Sequence, residues 1–431
     1  MRKPLKYSII VIVCILFAWY VGSLVHHALS QKESDVLRMW VAPNQTQGQF
    51  WRKVIDEWNK SGKGLKVVSK DIPVASSSEE AILNSIASRT SPDICTNIFS
   101  GFGAQLASLD AIYNLKEFDG YKELVKQRDM SKIMKNWAYH GGNYVFPIYS
   151  SPVLYWWRWD IMQKIGYNKI PETYSEVFDF CKLAYISHKR YGIRLMRFND
   201  WWGRWLDFIS FYYAASGGKP YMKDDRATFD DKYGKEVMDF FKKMYDNNYS
   251  TKVIAQDNEF FYGSILGEPR EPNDIAFAKT NFPGILKNIK VGPMIVPDNY
   301  KGGKYTFADT KGLVFFKQSK HSEEAWKFIK WVFSQDRFSE LWIELTTMPP
   351  ARGDLLTNPV FNDYFKDNKM VYEYAKFVNN AVPAAPVTQT IIVQQAMTNK
   401  LMEPIIYKTE SVGESLKNCV KNINRNLSEN E

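Results

Sequence analysis

Apolar residues along the chain alternate between two rhythms. VLRMWVA, from Val36, is an extended apolar run; the turn-rich PNQTQGQ follows, and FWRKVIDEWNK then sets Phe50, Trp51, Val54, Ile55 and Trp58 at helical spacing. The order predicted is strand, loop, amphipathic helix. GLKVVSKDIP reads as a second strand, SEEAILNSIASR as a helix, and SPDICTNIF as a third strand introduced by Ser-Pro-Asp. Strands alternating with helices predict a mainly parallel sheet with helices on both faces. Ligands of such sheets sit beyond the carboxyl ends of the strands, which makes Pro43 to Gln47 and Ser100 to Phe102 candidate loops.

Further along, a Gly141-Gly142-Asn143 turn precedes YVFPIYSSPVLYWWRWDIM, where two short extended segments meet at Pro147 to Pro152. Thr173 and Glu176 form a capping box for a helix with Val177, Phe180, Cys181 and Ala184 on one stripe. ATFDDKYGKEVMDFFKKMYDNNY predicts another amphipathic helix, and IKVGPMIVP and KGLVFF predict strands. HSEEAWKFIKWVFS carries an acidic first turn and an apolar face of Ala325, Phe328, Ile329 and Val332. Repeats, low-complexity tracts and Gly, Ser or Pro linkers are absent from the sequence, so two lobes would have to be joined by a chain that crosses between them more than once.

The start of the chain is different. MRKPLK is followed by an uncharged apolar run from Tyr7 to Val25, which as a helix reaches about 28 Å. The basic flank puts its beginning in the cytoplasm and everything after it outside. The length of the run favours an uncleaved membrane anchor, whereas Ala28-Leu29-Ser30 offers a signal peptidase its small residues. Bulky Val11-Ile12-Val13 ahead of Cys14 argue against lipidation.

Composition narrows the function classes. The 431 residues are 45% hydrophobic and 24% charged, a globular balance that excludes collagen-like, disordered and multispan membrane chains. A net charge of +9, part of it from Arg2, Lys3 and Lys6 beside the apolar run, is too mild to indicate nucleic-acid binding. Cys14, Cys95, Cys181 and Cys419 are scattered, with no CxxC, so neither a disulfide framework nor a zinc site is expected, and Cys95 and Cys181 read as buried thiols. None of the five histidines stands in HExxH, and neither G-x-S-x-G nor a phosphate loop occurs. Asp224-Asp225 and Asp230-Asp231 could be offered as a glycosidase pair, but their turn contexts make them caps. No catalytic residue, metal or cofactor is therefore assigned.

Aromatics are the unusual quantity, at 15% with 14 Trp and 25 Tyr. Sugars present apolar C–H faces and rims of hydroxyls, so a site for them stacks rings on one side and orients amides and charges on the other. FNDWWGRWLDFISFYYAASGG, with Asn199, Asp200, Trp201, Trp202 and Trp205, has this composition. Trp205, Phe208 and Tyr212 at helical spacing read as core; Trp201 or Trp202 is the candidate to face a ligand.

The ordered series of VLRMWVAPNQ, SPDI with FSGFGAQLASLDAIYNL, the GGNYVFPIYSSPVLYWWRWDIM block, ASGGKPY, VGPMIVP and KGLVFFKQSKHSEEAWKFIKWVF resembles the extracellular solute-binding proteins of ABC importers, in particular the sugar- and oligosaccharide-binding family. Trp157-Arg158-Trp159-Asp160 departs from the Tyr-Asn-Lys-Asp that the family tends to carry there. The resemblance implies an α/β protein of two lobes, each a mainly parallel sheet flanked by helices, with a hinge and an interlobe cleft. Residues 1–31 would be the anchor or signal segment, 32–149 with 303–348 one lobe, and 150–302 with 349–431 the other. Crossovers would fall near Ile148 to Pro152, Lys301 to Phe307 and Met348 to Pro350.

Cleft positions implied by the resemblance are Asn44, Gln45, Ser100, Phe102 and Tyr149 from the first lobe and crossover. Asn199, Trp201, Trp202, Asn281 and Phe282 would come from the second lobe, with Asp309 ahead of KGLVFF. The expected activity is capture of a carbohydrate outside the cytoplasm and delivery to an ABC permease, by a monomer that needs no cofactor and binds no nucleic acid. A surface-anchored sensor or a hydrolytic enzyme on the same fold is the alternative.

Overall fold

The computed structural model describes residues 36–197, 199, 201–223, 225–256 and 258–429. The apolar run from Tyr7 to Val25, Cys14, the His26-His27 pair and Ala28-Leu29-Ser30 lie outside them, as do Asp200, Asp224 and the side chains of Trp201 and Trp202. Among the described residues no helix is long and apolar enough to cross a membrane.

The first lobe is built on five strands in the order Lys66–Asp71, Val36–Val41, Ile94–Ile98, Gly312–Phe315, Phe146–Pro147. The first three run parallel, as expected, while Gly312–Phe315 lies antiparallel to both its neighbours. Its direction follows from its origin: it enters from the crossover end, toward which the parallel strands point. The helix Gln45–Ser61 buries Phe50, Trp51, Val54, Ile55 and Trp58, the stripe read from the sequence. Asn44 caps it by accepting the Thr46 and Gln47 amides, each at 3.1 Å, and Gly62 ends it in the left-handed region at φ +63°. Phe50 meets Trp342 edge-on at 5.1 Å, which locks this helix against Asp336–Thr346.

The second lobe departs from the parallel sheet expected of it. Its three strands, in the order Gly267–Arg270, Leu154–Arg158, Ile289–Gly292, are antiparallel. Leu154–Arg158 leaves the crossover and Gly267–Arg270 returns to it, with Leu154 beside Arg270, so the two must oppose each other. All five residues of the central strand are buried. The helices Tyr174–His188, Trp201–Ser216, Lys232–Asp246 and Val412–Glu429 contribute to the lobe's hydrophobic core. Asp231 caps the third of these through the Tyr233 and Gly234 amides, which is the structural role read for the 230–231 pair. Cys95, Cys181 and Cys419 are buried free thiols whose burial raises their pKa.

Three segments join the lobes side by side. The Ser150 amide donates to Pro349 O at 2.9 Å, the Val153 amide to Phe307 O at 2.9 Å, and the Asp309 amide to Ser151 O at 3.1 Å. Thr306–Phe307 also pairs in parallel with Ala381–Val382. Phe307 to Asp309 thus run beside Ser151 to Val153, and residues 301–305 form the loop ahead of them. After Pro350 the chain returns to the second lobe, where Tyr374 OH accepts Trp156 Nε1 at 2.7 Å and donates to Arg270 O at 2.9 Å.

Candidate functional site

The cleft between the lobes holds two adjoining cavities, of about 680 and 570 Å³, that share Leu206 and Asp309. Parallel strands end at this edge, so the loops after them supply the first wall. Ser77 caps the helix Ser78–Ala87 by accepting the Glu80 amide at 3.1 Å, and the same turn presents Ser76 and Glu79. After the third strand come Phe99 and Ser100. Ser100 Oγ donates to Ala384 O at 2.6 Å, a direct bond from this wall to the C-terminal segment. Gly101 permits that approach: a Cβ on it would stand 2.7 Å from the Thr390 Cβ.

The second wall is charged. The segment leading to Arg197 runs beside Gly267–Arg270, with the Arg194 amide donating to Gly267 O at 2.8 Å, and this lays Arg194 and Arg197 against the acids of GEPRE. Arg194 bonds Glu268 at 3.1 Å and also pairs with Glu259; Arg197 pairs with Glu271. Arg270 bonds Glu268 through Nε at 2.7 Å and faces Asp274 at 3.6 Å. Glu271 also accepts Ser151 Oγ at 3.0 Å, so the wall is tied to the first crossover. Burial raises the Glu271 carboxyl; Arg197 pulls it down, and Asp309 and Asp274 add to the rise.

Between the walls lies the second crossover. Lys311 Nζ donates to Asp309 at 2.8 Å and sits over the Phe99 ring at 5.3 Å. Burial works against the Lys311 charge, but Asp309, Glu271 and Glu79 outweigh it and raise its pKa. Trp205 and Leu206, from the second turn of Trp201–Ser216, close the side, with Trp205 edge-on to Phe307 at 6.0 Å. The arrangement offers hydroxyls, carboxylates and ring faces along two adjoining, open cavities.

Of the residues expected in the cleft, Ser100 and Asp309 line it. Asn199 stands beside it, clamping Ile254, a lining residue, by accepting its amide at 2.7 Å and donating to its carbonyl at 3.0 Å. Trp201 and Trp202 open the helix that carries Trp205. Asn44 and Gln45 are exposed at the start of the first helix, Asn44 occupied as its cap; Gln47, in the same first turn, is the residue that turns in and bonds Tyr149.

The remaining expectations need correction. Phe102 is 1% exposed in the core, stacked on Phe99 at 6.2 Å, because it falls on the inner face of Ser100–Ser108; Phe99 is the ring at the cavity. Tyr149 is buried in the hinge against Trp342 at 5.5 Å. Asn281 and Phe282 lie at the far end of Asp274–Asn281, whose first turn borders the cavity; Asn281 bonds Phe277 O and Phe282 stacks on Phe261 at 4.2 Å. Sequence reasoning missed Arg194, Arg197, Glu268, Arg270, Glu271 and Lys311. The legible signal was GEPREP, charges alternating in a strand otherwise enclosed by apolar elements.

A family model for bacterial extracellular solute-binding proteins matches residues 42–336. The chain belongs to this family. A protein of Brucella abortus (strain 2308), described by its name as a binding protein, is 23% identical over 265 residues, which are 56% of this chain and 61% of that protein's length. Among solved structures, an uncharacterized protein from Listeria monocytogenes EGD-e is 30% identical at a TM-score of 0.85, covering 91% of this chain and 100% of that one. The cyclic alpha-maltosyl-1,6-maltose binding protein of Arthrobacter globiformis has a TM-score of 0.79 at 16% identity, with 91% of this chain and 99% of that one covered. The sugar-binding protein MalE of Xanthomonas citri has 0.76 at 18% identity, with 92% and 98% covered. These last two share the two-lobed fold.

Proposed function

We propose that the protein is the extracytoplasmic solute-binding component of an ABC importer, which captures a carbohydrate between its lobes and presents it to a membrane permease. The observation that carries this reading is the cleft itself. Together, cavities of about 680 and 570 Å³ are lined from both lobes and from the second crossover, with hydroxyls and carboxylates beside the Phe99 and Trp205 rings. Rings cover the C–H faces of a sugar while the polar groups bond its hydroxyls. Fold neighbours named for sugar binding support the ligand class.

The residues proposed to hold the ligand are Ser100, Asp309, Phe99 and Trp205, with Asn199 positioning the loop beside them and Trp201 or Trp202 extending the aromatic side. Closure of the lobes about the crossovers gives the permease its signal. The monomeric body lies at the cell surface or in the periplasm, held by the Tyr7 to Val25 run or released by cleavage after it. Binding proceeds without turnover.

A thermal-shift screen of mono- and oligosaccharides tests the reading. At 100-fold saturation a ligand should stabilise the fold by about 2.7 kcal/mol, and chromatography should recover it unchanged. Cleavage at a rate proportional to protein would replace the carrier with an enzyme.

A further inference from the structure

We infer, resting on the carbohydrate reading above, that the cleft rejects acidic saccharides and accepts neutral or amino-bearing ones, and that Asp309 and Glu271 enforce this choice. The cations come first. Arg194, Arg197, Arg270 and Lys311 all border the cavities, and each is already engaged by a carboxylate. An anionic group on a ligand would have to displace one of these internal partners. For Arg197 and Glu271, whose side chains are each 11% exposed, that would strand a buried carboxylate.

Carboxylates are in excess. Among the described residues Glu268, Glu271, Asp274 and Asp309 line the larger cavity, Glu79 lines the smaller, and Glu259 stands behind Arg194. Among the described lining residues four cations therefore face five carboxylates, with Glu259 adding a sixth behind Arg194. The crowding is felt at Glu271, whose carboxyl is raised by burial and, despite Arg197, further by Asp309 and Asp274. Such a site is short of positive charge. An amino group supplies that charge, a neutral sugar leaves the balance unchanged, and the carboxylate of a uronate or the phosphate of a sugar phosphate adds to the deficit.

The test offers the full chain an equimolar mixture of neutral, amino-bearing and acidic oligosaccharides, prepared from starch, xylan, chitosan and pectin, and weighs the retained species by native mass spectrometry. Methyl-esterified and free galacturonides form a matched pair that differs by the charge and one methyl group. The inference expects neutral or amino-bearing species to be retained and free galacturonides to be disfavoured by about tenfold or more. Retention of the acidic members at parity or better overturns it while leaving carbohydrate capture intact. Retention of nothing from the mixture overturns both.

Asp309→Asn, which uncovers Lys311, should shift the acidic-to-neutral ratio at least about tenfold toward acid. Glu271→Gln, which removes one carboxylate charge from beside Arg197, should move it the same way. A melting curve for each variant confirms that the folded protein is what is weighed. An unchanged ratio in both folded variants removes these residues as the source of selectivity.

Discussion

The two walls of the cleft are made differently. The first-lobe wall is a row of loops at the ends of parallel strands, with Ser76, Phe99 and Ser100 held by caps and backbone bonds. The second-lobe wall is the end of an antiparallel strand, and its side chains hold one another through ion pairs from Arg194 to Asp274. A wall of loops can lose a side chain without losing its shape. A wall of buried ion pairs cannot, because each charge keeps another from standing alone in low dielectric.

The largest consequence of that contrast is expected at Glu271. Truncation by Glu271→Ala removes a buried carboxylate from beside Arg197 and should cost about 3–5 kcal/mol of stability in urea denaturation. A loss below about 1 kcal/mol, the scale of an exposed pair, would show that the wall is solvated and the contrast false.

Phe102 and Phe99 divide the first-lobe wall into its inner and outer layers. Phe102→Ala should lower stability by about 3–5 kcal/mol and leave the affinity of the folded protein nearly unchanged. Phe99→Ala should instead remove on the order of 1–3 kcal/mol of carbohydrate affinity with a smaller effect on stability. Calorimetric titration beside denaturation curves separates the two, and reversed outcomes would exchange the layers.

Acid titration sharpens the comparison with a third region. Glu271 is raised by burial, so its contribution to stability is full below the ordinary glutamate value of about 4.3 and is lost as pH rises through its folded value. Asp336 and Asp354, near the third crossover, are the reverse: burial would raise them, but hydrogen bonds from Arg352 and Asn358 outweigh it and lower them. Their contribution is present above the ordinary aspartate value of about 3.9 and is lost as pH falls through their folded values. Relative to the parent protein, Glu271→Gln should gain stability with rising pH and Asp354→Asn should lose it. Slopes of the same sign would contradict the assignment.

The smallest effect is expected at Asn44. Its side chain caps the Gln45–Ser61 helix, so Asn44→Ala should cost about 1 kcal/mol of stability and leave affinity unaltered. A fall in affinity would restore to it the ligand contact expected from the sequence.

What the sequence disclosed follows the same division. Helices announced themselves through stripes such as Phe50 to Trp58, and the loop after the third strand delivered Ser100 to the cavity, while Asp309 was reached only through the family resemblance. The antiparallel second-lobe sheet stayed hidden because LYWWR is buried on every residue and so carries no alternation from which to read a partner. Phe102 and Asn281 were misplaced for one reason: helical phase and distance along the helix, not nearness in sequence, decide which turn meets the cleft. The charged wall joins residues some 70 positions apart, as Arg197 and Glu271 are, and no local pattern links them.

The most direct test of ligand capture between the walls is hydrogen exchange of the full chain with and without a saccharide that stabilises it. Protection should appear together at Ser76 to Glu79, at Phe99 and Ser100, at Asp309 to Lys311 and at Glu268 to Glu271, with Asn281 and Phe282 unaffected. Protection confined to one lobe, or centred on Asn281 and Phe282, would contradict binding in the cleft.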